Sequence, residues 1–356
     1  MCRKRTVWLI TISLIALMIV GCSGNVPEAT TSVVSEPSQT VETQISATAT
    51  HKSDPTAEPT QVLAATPTAT PVPTYPMTIT DMMRQSIEIT AKPSRIVSIS
   101  PTATEMLYAV GGIAVGRDAG STFSSAVKAL PSVGGAYNPS VEAIIALNPD
   151  LILIEALTQG HLIQMLASLQ VPIAAVRATS VQDVKDGLTL VGTIIDEKAQ
   201  AENAIEALDS TIETAMEPPR GSHSVLILIA DAQHNMYAAM PESYPGEIAD
   251  FMNLSNIAAG LEQSGPYPGF TLFSAEQAIT SNPDIILAIS PAPAPAPKLS
   301  TMLPMIPGYS SLSALTQGRV AEIDPDLFLS APGPRIANAI VKLGTILDSM
   351  EFSQET

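Results

Sequence analysis

The pattern of polar and apolar positions repeats at long range. The stretch Ser140-Val-Glu-Ala-Ile-Ile-Ala-Leu-Asn-Pro-Asp-Leu-Ile-Leu-Ile154 is echoed by Ser274-Ala-Glu-Gln-Ala-Ile-Thr-Ser-Asn-Pro-Asp-Ile-Ile-Leu-Ala288, at an offset of 134 residues. Each copy reads as a short helix followed by a strand. Ser140 and Ser274 suit the N-cap, where a serine oxygen accepts from an otherwise unpaired helix N–H. Gln277 completes a capping box with Ser274, whereas Ala143 leaves Ser140 without one. Pro149 and Pro283 stop the helices, and the branched runs after them suit strands covered on both faces. Two copies this far apart predict two similar lobes rather than a solenoid, which needs short multiple repeats.

Other segments extend the pattern. Arg95 to Ser100 predicts a strand feeding a helix over Pro101 to Val110, with Thr102 and Glu105 in capping-box spacing and Gly111-Gly112 as the stop. Ile173 to Val176 predicts a further strand, and Ser224 to Ala230 opens the second lobe as Arg95 to Ser100 opens the first. Strands alternating with helices imply parallel sheets. Between the lobes, Ile205, Leu208, Ile212 and Met216 form one apolar stripe of a helix from about Glu197 to Met216, ended by Pro218-Pro219. The fold class is therefore α/β: two Rossmann-like lobes with central parallel sheets, joined by one long rigid helix. Large hinge closure is not expected of such a connection.

The amino-terminal segment has a different character. Arg3, Lys4 and Arg5 precede an apolar run from Val7 to Val20, which is short for a spanning helix of ~20 residues but suits a signal peptide. Gly21-Cys22 closes that run in the manner of a bacterial lipobox, which implies acylation of Cys22. An uncleaved anchor, or a plain signal peptide with a chance cysteine, are the alternatives. From there to about Pro76 the chain is Thr, Ser, Pro, Ala and Glu, too polar to offset chain entropy, and reads as an extended tether. The expected organisation is 1–21 signal, 22–76 acylated cysteine and tether, 77–180 first lobe, 181–220 inter-lobe helical segment and 221–352 second lobe.

Composition excludes several functions. With 34 acidic against 17 basic residues the formal net charge is −17, which opposes nucleic-acid binding. The two cysteines, Cys2 and Cys22, lie outside the folded body, and four histidines in the whole chain argue against a histidine-rich metal site. No nucleophile elbow, phosphate loop or metalloprotease helix is present, so an enzyme is not expected.

These motifs together resemble the solute-binding lipoproteins of ABC importers for cobalamin, heme and ferric siderophores. The resemblance rests on Arg95-Ile-Val-Ser-Ile-Ser-Pro-Thr-Ala-Thr-Glu105, Leu130-Pro-Ser-Val-Gly-Gly135, the doubled Asn-Pro-Asp segment, Gly265-Pro-Tyr-Pro268, Asp324-Pro-Asp326 and Pro332-Gly-Pro-Arg335. It covers about Lys92 to Met350 and is most like the cobalamin-type branch. It implies a monomer, lipid-anchored outside the cytoplasmic membrane, that holds its ligand between the lobes and delivers it to a permease dimer with paired ATPases. No catalytic cofactor is implied. In the family, glutamates matching Glu142 and Glu276 meet arginines on the two permease subunits. The local alternative is that each carboxylate complements its helix dipole, worth ~0.3–1 kcal/mol.

Ligands of open α/β sheets sit at the carboxyl ends of the strands. The candidates there are Arg117, Phe123, Tyr137, His234, Tyr237, Met240, Tyr267 and Asp326. The aromatics would offer flat faces to a tetrapyrrole, and methionine would adapt to an irregular one. The cobalamin branch lines its cleft with tryptophan, whereas the single Trp here is Trp8 in the signal; Tyr267 takes one such place. Arg117 and Arg335 do not make a cationic cluster, which leans towards a corrinoid over anionic ferric siderophores or heme. His234 is a candidate axial ligand, although a lone loop histidine is more often a solvated residue. A divalent-metal carrier is a weaker alternative, since few histidines are available.

Overall fold

In the computed structural model, the described residues are 74–352 except 218–219, 293–294 and 331. Cys22, the signal segment and the tether up to residue 73 lie outside them. The first lobe opens with a hairpin, β1 (Met77–Thr80) and β2 (Ser86–Ile89). It continues through β3 (Ile96–Ser98), α1 (Pro101–Ala109), β4 (Ala114–Arg117), α2 (Ser125–Lys128), β5 (Gly134–Gly135) and β6 (Asn138–Pro139). It ends with α3 (Val141–Ala146), β7 (Leu151–Glu155), α4 (Leu162–Leu166), β8 (Ile173–Val176) and α5 (Val181–Ile194). After α6 (Lys198–Met216) the second lobe contains β9 (His223–Ala230), β10 (Met236–Ala239), α7 (Tyr244–Phe251), β11 (Leu254–Asn256) and β12 (Phe270–Leu272). It closes with α8 (Ala275–Ser281), β13 (Ile285–Ile289), α9 (Leu299–Met302), α10 (Ser313–Thr316), β14 (Val320–Ile323) and α11 (Ile336–Asp348).

The first sheet runs β4-β3-β7-β8, parallel throughout. The second runs β12-β10-β9-β13-β14, with β11 beside the first half of β9. The trio β9-β13-β14 reproduces β3-β7-β8, as the repeat predicts. The second sheet departs from the all-parallel expectation, because β10 is antiparallel to both β9 and β12. The reason is connection length: only Asp231 to Asn235 separate β9 from β10, and a parallel return needs a crossover of about a dozen residues or more.

The repeated Asn-Pro-Asp segment has a mechanical role. Asn148 (φ 45°) and Asn282 (φ 40°) take the left-handed conformation that ends each helix. The aspartate then turns back onto the start of the lobe's first strand. Asp150 accepts from the Ser94 N–H and hydroxyl at 2.8 Å each. Asp284 accepts from the Ser224 N–H at 2.9 Å and hydroxyl at 2.7 Å. One short motif thus ends a helix and fixes strand register in each lobe.

Two cap expectations divide. Ser274 and Gln277 form the capping box. At α1, by contrast, Ser100 is the N-cap and accepts from Ala103 N–H at 3.0 Å, so Thr102 caps nothing. Glu105 turns away towards the other lobe.

α6 buries Ala201, Leu208 and Ile212. Ile205 is half-buried, but Met216, the last residue of the expected stripe, is 46% exposed. The helix packs on α5 of the first lobe and α11 of the second. One apolar core runs through it, from Met106, Leu151 and Val176 to Val225, Leu287 and Leu343. Lobes sharing a large apolar interface resist the relative motion that is the default for loosely joined domains.

Candidate ligand cleft

In the first lobe, the loops after the strands are held by buried polar contacts. Asp118 closes a turn by accepting the Gly120 N–H at 2.6 Å and the Ser121 hydroxyl. Thr104 Oγ1 lies 3.0 Å from Ser121 Oγ and 2.8 Å from Ser98 Oγ, within hydrogen-bond reach of both. This chain ties β3, α1 and the 118–121 turn together and fixes the base of Phe123. The Phe123 ring is 38% exposed and meets Tyr108 edge-on at 5.8 Å. Tyr137 lies at the tip of the β5–β6 hairpin and is 66% exposed. Gln159 anchors that hairpin by donating to Ala136 O at 2.6 Å and Ile99 O at 2.9 Å, while its Oε1 accepts from Glu155 N–H at 2.7 Å. The sequence reading missed Asp118, Ser121 and Gln159. The Asp-Ala-Gly-Ser turn was a usable signal, whereas nothing local marks Gln159.

The Arg117 side chain is turned inward. It is buried, and it donates to the carbonyls of Val127 (2.9 Å), Lys128 (3.0 Å), Asp118 (2.7 Å) and Ala119 (3.2 Å). Four of its five N–H donors are therefore spent on backbone. The sequence placed it at the end of a strand, but the side chain folds back over the α2 carboxyl terminus.

In the second lobe, the β9–β10 turn is organised by Asp231. Its carboxylate accepts from Gln233 N–H (2.9 Å), Asn235 N–H (2.8 Å), Asn235 Nδ2 (2.8 Å) and the Tyr237 hydroxyl (3.2 Å). The Asn235 side chain leads these contacts in holding the carboxyl below its usual range. His234 occupies the turn with φ 64° and is exposed. Tyr237 is buried and meets Tyr267 edge-on at 5.0 Å. Gly265 (φ +90°) passes so close that a Cβ there would lie 2.5 Å from Tyr237 Cε1. Beside this turn, His234, Met236, Leu272, Phe273, Met302 and Ile306 line a recess of about 470 Å³.

Met240 is displaced from the expected group. Met236 pairs with Ala230 at the carboxyl edge of β9, so the antiparallel course carries Met240 four residues inward. At ~3.3 Å per residue that is about 13 Å from the edge. Its N–H donates to Gly269 O at 2.9 Å and its carbonyl accepts from Ser243.

Asp326 is exposed at the start of a π-turn, its N–H donating to Asp324 Oδ1 at 2.9 Å. It adds to the field on Arg335, whose principal partner is Glu105. Arg335 Nε donates to Glu105 Oε2 at 2.8 Å and Nη2 to Oε1 at 2.7 Å, a bidentate bond between the lobes. Glu105 is 4% and Arg335 32% exposed. Burial pushes the Glu105 carboxyl above its ordinary value against the pull of Arg335. Arg335 is held charged by the same contact. The Tyr244 hydroxyl lies close by, and burial, aided by Glu105, pushes it far above its usual range. The two arginines available to an anionic ligand are therefore both engaged within the protein.

Glu142 and Glu276 sit exposed at the second position of α3 and α8. Glu142 accepts from Ser140 Oγ at 3.0 Å, and its own backbone N–H, ahead of this hydroxyl, holds the carboxyl below its ordinary value. Among the described residues no cluster of three or more His, Cys, Asp or Glu suits a metal ion, and no helix is long and apolar enough to cross a membrane.

Two similar α/β lobes thus share one apolar core, with Phe123 and Tyr137 beside strand ends of the first and Tyr237 and Tyr267 beside those of the second. Residues 96–327 match the periplasmic binding protein family, and the chain belongs to that family of binding proteins, not of enzymes. No curated protein sequence matches the chain. Its fold is shared with an ABC transporter substrate-binding protein from Listeria monocytogenes EGD-e, at 19% identity and TM-score 0.61, covering 72% of this chain and 98% of that one. The heme-binding protein RhuT from Roseiflexus sp. RS-1 is similar at 23% identity and TM-score 0.61, over 71% and 97% of the two chains. The periplasmic heme-binding protein HutB of Vibrio cholerae is similar at 20% identity and TM-score 0.62, over 71% and 98%.

Proposed function

We propose that this protein captures a metal tetrapyrrole between its lobes and hands it to an ABC importer, with heme the first candidate and a corrinoid the second. The carrying observation is chemical. Both strand-end edges carry aromatic rings, the exposed Phe123 and Tyr137 on one lobe and the half-buried Tyr267, backed by the buried Tyr237, on the other, while Arg117 and Arg335 are taken up by internal contacts. The shortage of free guanidinium groups weighs most against an anionic ferric siderophore and less against heme, whose flat apolar ring suits the aromatics although its two propionates are anionic. RhuT and HutB, two structurally similar proteins named for heme binding, support heme. The Gly265-Pro-Tyr-Pro268 and Pro332-Gly-Pro-Arg335 motifs keep the corrinoid in view.

Cys22 is acylated, residues 22–76 form a tether, the lobes extend over 77–180 and 221–352, and the protein acts as a monomer on the outer side of the membrane. Glu142 and Glu276 dock the two lobes on the permease dimer. Titration with hemin and with cyanocobalamin, followed by visible absorption and calorimetry, tests the ligand class. One equivalent of either should bind, and binding of neither would reject it. Glu142→Arg with Glu276→Arg should leave ligand affinity and melting temperature unchanged and abolish uptake into vesicles carrying the importer. Normal uptake by that variant would reject the docking assignment.

A further inference from the structure

The repeat carries more than its two glutamates. Ile145 follows Glu142 by three residues, and Ile279 follows Glu276 by three, at the same 134-residue offset. Residues three apart lie on one face of a helix. Ile145 is 55% exposed and Ile279 45% exposed, whereas the neighbouring Ile144 and Ala278 are buried. Large aliphatic side chains on both matched helices thus point outward beside the acid, while the inward positions already fill the core. A solitary exposed isoleucine means little. The same exposed residue beside the same exposed carboxylate, on the matching helix of each lobe, is a surface feature that occurs twice.

Resting on the docking role proposed for the glutamates, we infer that Glu142 with Ile145 and Glu276 with Ile279 form two matched docking knobs. Their partner is a twofold-symmetric permease dimer that offers, at each of two equivalent places, a cationic side chain beside an apolar socket. The acid supplies direction and the isoleucine supplies desolvated contact. A charge pair in an apolar surround gains strength because water is excluded from it. Symmetry in the partner explains why both lobes present the same pair, since an asymmetric partner would need it only once.

The test measures binding of the full-length protein to the purified permease–ATPase complex in nanodiscs, at 0.15 and 0.5 M NaCl as rough low- and high-screening conditions. Ile145→Gln with Ile279→Gln should weaken binding about tenfold or more at both salt concentrations. Hemin affinity and melting temperature should stay unchanged, and leucine at both positions should restore binding. The Glu142→Arg and Glu276→Arg pair should lose binding most at low salt. If the glutamine variant binds as the parent does while the arginine variant fails, the isoleucine knobs are wrong and the glutamate docking stands. If the arginine variant binds normally, the docking reading itself falls. A glutamine variant that melts early is replaced by Ile145→Thr with Ile279→Thr, and normal binding by a stably folded variant overturns the inference.

Discussion

Arg335→Met isolates a bidentate ion pair that joins the lobes. It removes both N–H donors from Glu105, which has only 4% of its side chain exposed. Breaking a buried pair by removing one partner costs about 3–5 kcal/mol, because the remaining charge is left unpaired. Arg335 is about one-third exposed, so solvent already weakens the contact and admits some water afterwards. A loss of about 2–3 kcal/mol is expected near pH 8. For a folded unit of this size that corresponds to roughly 5–10 °C in melting temperature. The pH dependence has a definite sign. Burial already raises the folded carboxyl above its unfolded value, and loss of the guanidinium raises it further. The folded state then holds a proton that the unfolded state releases, so stability falls as pH rises through the folded value. The deficit of Arg335→Met should therefore shrink between pH 8 and pH 5. Adding Glu105→Gln should recover most of the loss at pH 8, since an amide needs less compensation than an unpaired carboxylate. Thermal melts at a series of pH values read both effects. If the double variant is as unstable as Arg335→Met, or the deficit is independent of pH, the loss comes from packing and the electrostatic account is wrong.

Gly265→Ala forces a Cβ into a left-handed backbone 2.5 Å from the Tyr237 ring; we expect a loss of about 1–3 kcal/mol and weaker hemin binding, read by melting and absorption titration. Asp284→Asn should cost about 1–2 kcal/mol at neutral pH by spoiling the double acceptor at Ser224. Despite partial burial, the Ser224 N–H and hydroxyl hold that carboxyl below its ordinary value. Its contribution is therefore present above the unfolded value and lost as pH falls, so the two proteins should converge in acid. With hemin bound, Tyr267→Phe or His234→Ala should shift the visible spectrum if that side chain ligates iron, and identical spectra for both would remove them as axial ligands.

The repeat, the strand-end loops and the family were legible in the residues because they depend on local periodicity and on side chains that act near their own position. Asn-Pro-Asp predicts a helix stop and a strand wherever it occurs, and Ser274 with Gln277 needs only three residues of separation to form its box. What the tertiary structure decided was the destination of long polar side chains. Arg117 looked free until the fold brought the α2 carbonyls under its guanidinium. Glu105 looked like a capping residue until the fold placed Arg335 beside it, 230 residues along the chain. Met240 looked like a cleft residue until the antiparallel register carried it inward. Burial makes these choices: an arginine or glutamate removed from water must find partners, and those come from whatever chain the fold packs against it. Local pattern cannot name them, because they are set by distance in space rather than along the sequence.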